Sequence, residues 1–265
     1  MSKEKEGQAG VQSLEIGIRI LRAIANGHRS MMLKDIAAAA DMPAASVHRY
    51  MVSLIRSGLV GQDSMTSRYD LGPFSLTLGL IAVDRLDRIG LGLTAIAELR
   101  DEINETTALA VWSDNGPVIV RSEPPRRTIT VNVVTGTALN TLTSASGRIF
   151  AAWLPKPLID PLIALELQNP ELPTELQSAD DVEKLLVTIR EKGVAAVSDY
   201  HLVPGVAAVA APVFNAKNEI TLSVLAIGVK GMIDMSLDGP VVAALKRSAH
   251  QLSLRLGYAG DAIKP

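Results

Sequence analysis

The 265-residue chain has no cysteine, which excludes disulfides, thiolate metal sites, cysteine nucleophiles and iron–sulfur clusters in one step. Histidine is scarce. His28, His48, His201 and His250 stand at neither HxH nor HxxxH spacing, so no metal or cofactor site is expected. No apolar run reaches the roughly 18 residues that a membrane span requires. The charged start MSKEKEGQAG has no apolar centre and reads as a flexible arm over 1–10, not a signal peptide. A cytoplasmic protein with no membrane partner is expected. Aromatic residues make up only 3%, but at 48% hydrophobic the chain can build aliphatic cores for one large domain or two small ones. Strong charge is missing too. The net charge is −2, although the first 72 residues hold nine Lys/Arg against seven Asp/Glu. That small local excess is a weak pointer to a polyanion.

What is present begins with MMLKDIAAAADMPAASVHRYMVSLIRSG, residues 31–58, read as a short helix, a tight turn at Asp41-Met42-Pro43 and a longer helix. At 100° per residue, Val47, Tyr50, Met51, Leu54 and Ile55 form one stripe that must be buried. Arg49, Ser53 and Arg56 lie opposite, with Ser46 and His48 at the margins. Such a helix can lie in the DNA major groove, where Arg forks onto guanine and Ser bonds a base edge or a phosphate. For an isolated helix, a solvated surface would explain the same pattern.

The flanking segments decide between these readings. A helix over Ser13–Ala25 precedes, with Ser13 as N-cap, Leu14, Ile18, Leu21 and Ala25 inward, and Asn26-Gly27 as its stop. Behind Gly58, two short extended runs around the polar loop 63–67 make a β-hairpin. Three helices and a hairpin make a winged helix-turn-helix over 11–72, with Arg68 beside the wing tip, able to touch backbone or minor groove. The segment 73–88 (PFSLTLGLIAVDRL and beyond) is apolar all round, as suits a linker helix that also packs against a second copy.

From 89 to 260 the texture becomes mixed. A helix near 91–104 precedes strand-like runs at 108–112, 118–121 and 128–134. A helix over about 148–154, opened by Leu142-Thr143-Ser144-Ala145-Ser146-Gly147, follows, then one capped by Ser178 with Asp181 and stopped by Gly193. Strands at 194–198, 207–213 and 220–229 precede a last helix from Pro240 to Gly257. This is an α+β fold with a sheet domain of the kind used by sensors. Ser144, Ser146, Asp199 and His201 contain the ingredients of a hydrolytic triad, but no G-x-S-x-G elbow holds the serine and His201 is not placed between Ser and Asp. The same residues suit a pocket: Ser144, Ala145 and the helix N–H groups behind them receive a carboxylate, with Asp199 and His201 on the opposite wall.

VQSLEIGIRILRAI, LKDIAAAADMPAASVHRYMVSLIRSGLV, SRYDLG, TLTSASGRIFAAWLP and GVAAVAAPVFN, in that order, resemble the IclR family of bacterial transcriptional regulators over about residues 11–256. The resemblance implies a winged helix-turn-helix, a dimerising linker helix and a GAF-like effector domain, in a homodimer or tetramer on palindromic double-stranded operators. It places Ser46, His48 and Arg49 at DNA-contacting positions. It also brings Ala208, Leu225 and Ile227 into the effector pocket, where the family often has Cys and two Ser. This chain further departs from the family with Ile16 in place of Arg and with Asp199-Tyr200-His201 in place of an acidic run. Two hydroxyls replaced by Leu225 and Ile227 favour a larger, partly apolar effector such as an aromatic acid over a very small polar one. A ligand-binding signalling protein or enzyme that uses its winged helix for protein contact is the alternative. It would lack the steep salt dependence of operator binding.

Overall fold

The computed structural model describes residues 10–27, 29–127, 131, 133–170, 172–173, 176–198 and 205–260. They form two compact units, divided between Leu86 and Asp87. No helix among the described residues is long and apolar enough to cross a membrane.

The first unit holds α1 (Gln12–Ala25), α2 (Leu33–Ala39), α3 (Ala44–Arg56), a hairpin of β1 (Val60–Gln62) and β2 (Tyr69–Leu71), and α4 (Pro73–Asp84). Its core joins Ile20 and Ile24 of α1, Ile36 and Ala37 of α2, and Val47, Met51 and Leu54 of α3, closed by Val60 and Tyr69. Tyr69 also exchanges both backbone hydrogen bonds with Met31 (2.9 and 2.8 Å), which ties the wing to the entrance of α2.

Three expectations fail in this unit. Val11, not Ser13, flanks α1, and Ser13 lies inside the first turn. The buried stripe of α1 is Gly17, Ile20, Ala23 and Ile24, while Leu14 and Ile18 are exposed. The helix carries two apolar stripes, and the one containing Gly17 and Ala23 offers the flat surface that close packing needs. Ile55, expected in the core with its neighbours on α3, is 37% exposed because it falls at the edge of the stripe centred on Met51.

α4 starts from a fixed point: Phe74 N donates to Gly58 O (3.0 Å) and Ser75 Oγ to Leu59 O (2.8 Å). Beyond that anchor none of the described side chains of α4 is buried, and Leu76, Leu78, Leu80 and Ile81 are all exposed.

The second unit is a five-stranded antiparallel sheet in the order β4-β3-β7-β6-β5, built from β3 (Thr106–Ser113), β4 (Gly116–Glu123), β5 (Ala195–Ser198), β6 (Val206–Phe214) and β7 (Ile220–Val229). α5 (Arg88–Ile103) and α9 (Pro240–Arg255) cover one face; α6 (Ala145–Trp153), α7 (Lys156–Glu166) and α8 (Ala179–Lys192) cover the other. Strand alternation sorts the two cores: Leu109, Val209, Val224 and Ala226 face α5 and α9, whereas Ala108, Ala210, Leu225 and Ile227 face α6. α8 is capped as its sequence announces, with Ser178 Oγ accepting from Asp181 N and Gly193 left-handed at its end.

α7 has no counterpart in the sequence reading. Pro155, Pro157 and Pro161 punctuate the segment, yet the first two stand at the helix entrance and Pro161 forfeits only one helical hydrogen bond. Val131, Val133 and Val134, expected in a strand at 128–134, lie outside any strand; residues 128–130 and 132 lie outside the described residues.

Candidate functional sites

The reading face of α3 is built by the packing of its other side. Val47, Met51 and Leu54 are fixed in the core, which leaves His48, Arg49, Ser53 and Arg56 exposed and Ser46 half-buried. The helix contains no acid. Arg49, Ser53 and Arg56 follow one another at i, i+4 and i+7 and share a face.

In the wing, register Val60↔Leu71, Gly61↔Asp70 and Gln62↔Tyr69 puts the loop 63–67 at the apex. Asp63 Oδ1 accepts from the backbone N–H groups of Met65 and Thr66, both at 2.8 Å. The N–H groups of Thr66 and Met65 hold that carboxyl below its ordinary range. Arg68 is exposed, but its Nη1 donates to Ser30 O (2.8 Å), so part of its fork braces the wing against the segment before α2.

The second candidate site is a cavity of about 290 Å³ between the α6 side of the sheet and the segment 131–139. Its origin is small side chains. Ala208 pairs with Ile227, Ala210 with Leu225, and Ala108 with Leu225 from the other side, so Leu225 lies between two alanines and Ile227 beside one, and space is left above the sheet. The segment 131–139 is stitched across this space. Thr106 Oγ1 donates to Val131 O (3.0 Å), Ser122 Oγ to Val133 O (2.6 Å), and Leu139 N to Pro117 O (2.8 Å). Ser144, Ala145, Ala208, Leu225 and Ile227, all singled out from sequence, line the cavity together. Asp199 and His201 lie outside the described residues.

Sequence reasoning missed Ile119, Val133, Val134 and Leu139 in the wall. Alternation along β4 is a signal that points Ile119 inward; Val133 and Val134 read as part of a strand over 128–134, which gives no sign that they cover the sheet. Trp112 and Trp153 are absent from the described lining and instead pack on Phe150 and Phe214, both with ring centroids 5.6 Å apart.

No charged side chain is present among the described lining residues, and their polar groups are Thr137, Thr143 and Ser144. Ser144 is the N-cap of α6: its Oγ accepts from Gly147 N (2.9 Å) and donates to Asn140 O (2.6 Å). Its proton is therefore committed within the fold and does not serve a ligand. Thr143 Oγ1 accepts from Asn140 Nδ2 (3.0 Å), which leaves its own proton to donate. With the first-turn N–H groups of α6, it forms a polar end to an apolar cavity.

Behind this end, Glu166 accepts from Thr141 N (2.5 Å) and Leu142 N (2.8 Å). The buried Arg148 donates from Nε to Leu142 O (2.6 Å) and from Nη1 to Ala196 O (3.2 Å). Removing the cap alone, with Ser144→Ala, should cost about 1 kcal/mol. That lowers the melting temperature of the Asp87–Gly260 unit by roughly 2–4 °C in calorimetry. An unchanged melting point would mean that the cap does not hold the turn.

Comparison with known proteins agrees with both halves. Residues 13–64 match the IclR helix-turn-helix domain, and residues 82–254 match the C-terminal domain of the bacterial transcriptional regulator IclR. The crystal structure of Pseudomonas aeruginosa HmgR is similar to the chain at 36% identity and a TM-score of 0.86, covering 94% of this chain and 100% of that one. The glycerol operon regulatory protein of Streptomyces coelicolor is 28% identical over 93% of this chain and 97% of its own length. The probable HTH-type transcriptional regulator ArcR of Halobacterium salinarum is 25% identical over 93% and 94%. A DNA-binding helix-turn-helix joined to a C-terminal effector-binding domain is the layout of a regulator and not of an enzyme, and the chain belongs to the IclR family of transcriptional regulators.

Proposed function

We propose that the chain is a one-component regulator whose operator binding is set by a partly apolar organic acid, with an aromatic carboxylate as the best-fitting class. One observation carries this reading. The cavity is walled by Ile119, Val133, Leu139, Leu225 and Ile227, holds no described charge, and draws its polar side chains from Thr137, Thr143 and Ser144, the last two at the α6 N-terminus. A ring fills the apolar part, and a carboxylate meets the helix N–H groups, where the macrodipole favours a negative charge.

Operator reading falls to Ser46, His48, Arg49, Ser53 and Arg56 on α3, with Arg68 bracing the wing and touching backbone. The exposed apolar surface of α4 is the surface on which two copies join, which gives a homodimer, or a tetramer as a pair of dimers, on a palindromic operator. A ligand moves such a dimer between states only by its differential affinity for them. α4, which both joins copies and follows directly from the wing, is the element such a shift acts through.

Calorimetric titration of the full-length protein with benzoate and phenylacetate, against glyoxylate and pyruvate, tests the effector class. Burying a ring in place of a methyl group predicts at least tenfold tighter binding of the aromatic acids. Equal binding of both sets, or preference for the short acids, removes the proposal.

A further inference from the structure

Among the described residues, the large apolar side chain most open to solvent is Met65, 94% exposed at the apex of the wing; Val11 follows at 66%. The main chain beneath it is pinned. Its N–H donates to Asp63 Oδ1 (2.8 Å), Ser67 N donates to Asp63 O (2.9 Å) with Ser67 left-handed at φ +56°, and Asp63 N donates to Arg68 O (2.9 Å). A long apolar side chain held in water at a fixed tip adds nothing to the core, so its favourable burial waits on a partner.

The surroundings indicate what that partner is. Ser64, Thr66 and Ser67 are neutral hydroxyls of the kind that pair with phosphate oxygens, and Arg68 stands behind them. Asp63, the one acid of the apex, is turned onto the backbone N–H groups of its own loop. A three-pair hairpin with a narrow tip fits the minor groove, which is about 6 Å wide. Methionine is long, apolar and polarizable, and it is among the apolar side chains that wedge between base steps.

We propose that Met65 is a minor-groove wedge. The wing tip presses its thioether against a base step flanking the half-site read by α3, partly unstacks it and kinks the duplex. This rests on the DNA-reading role assigned above to α3 and the wing. Because a pyrimidine–purine step unstacks more readily than an A-tract step, the operator is selected at flanking positions that no side chain reads by hydrogen bonds.

The test uses the full-length protein and the operator that it enriches from random-sequence duplex DNA, remade with either a TA or an AA flanking step and with 2-aminopurine at that step. Wild type should favour the TA flank by about tenfold and raise the 2-aminopurine fluorescence on binding. Met65→Ala should bind the TA operator about tenfold more weakly, lose the flank preference and give no fluorescence rise, whereas Met65→Leu keeps most of all three. Met65 is outside the core, so the melting temperatures of these variants should match wild type. An enriched operator bound alike by wild type and Met65→Ala, without a fluorescence change, overturns the wedge and leaves the α3 reading intact. Failure to enrich any sequence overturns the α3 reading itself and the wedge with it.

Discussion

Gly147→Ala is expected to lower the melting temperature of the Asp87–Gly260 unit by roughly 6–12 °C, the equivalent of about 3 kcal/mol or more. Gly147 is the third residue of α6, and its N–H is the one that Ser144 caps. A Cβ there would lie 2.5 Å from the Thr141 carbonyl oxygen and 2.6 Å from Thr141 Cα, and closer still to Asn140 O. All three neighbours are main chain, so no rotamer change relieves the clash. The loop cannot simply move away either. Glu166 holds the N–H groups of Thr141 and Leu142, Arg148 holds Leu142 O, and Ser144 holds Asn140 O. The loop ends in Thr143 and Ser144, which line the cavity, so effector affinity should fall together with stability. Differential scanning calorimetry on the full-length protein checks the first effect and ligand titration the second. A melting point within about 2 °C of wild type would show that the turn yields and is not the rigid wall described.

The same turn shows what a sequence can and cannot disclose. A helix start near Ser144 was readable from the hydroxyl and small residues of 142–147, although the helix begins at Ala145 and not near Arg148. That the Ser144 proton is consumed by Asn140 O was not, because this depends on a carbonyl four residues back in an irregular turn. α3, α8 and α9 were legible because one apolar stripe, one start signal and one stop signal agree in each. α1 was legible as a helix but its phase was not: two apolar stripes compete, and which one is buried is decided by the partners, α2 and β2, not by the helix. α7 escaped because three prolines are the opposite of a helix signal, although two of them occupy positions where a helix needs no N–H donor.

The cavity divides in the same way. The family resemblance is what places Ala208, Leu225 and Ile227 in it; strand period two, which puts Leu225 and Ile227 on one face, and a register that sets Ala208 opposite Ile227 agree with that placement. The covering segment misleads: its valines read as part of a strand over 128–134, yet Val131, Val133 and Val134 lie outside any strand. Side-chain and main-chain bonds with Thr106, Ser122 and Pro117, residues of other elements, hold it there, and its own composition does not announce them.

Arg49→Ala should weaken specific operator binding by roughly 1–3 kcal/mol, about 5- to 150-fold, and relax the base preference at one position of each half-site. Arg49 stands in the second turn of α3, two residues after the buried Val47 that fixes the rotation of the helix, and its side chain is exposed. The substitution therefore leaves the core intact, and thermal melting should not change. Arg49→Lys separates charge from geometry. A lysine keeps the attraction to phosphates but cannot fork onto guanine O6 and N7, so affinity should recover in part while the base preference stays relaxed. Salt titration adds a second axis. If Arg49 reads a base, the slope of log K against log salt should change little in Arg49→Ala; if it only meets a phosphate, the slope should fall by about one. A footprint and a base preference identical to wild type in Arg49→Ala would show that α3 does not read the operator through this residue, and the rotation of the helix deduced from Val47, Met51 and Leu54 would then point the wrong side chains at DNA.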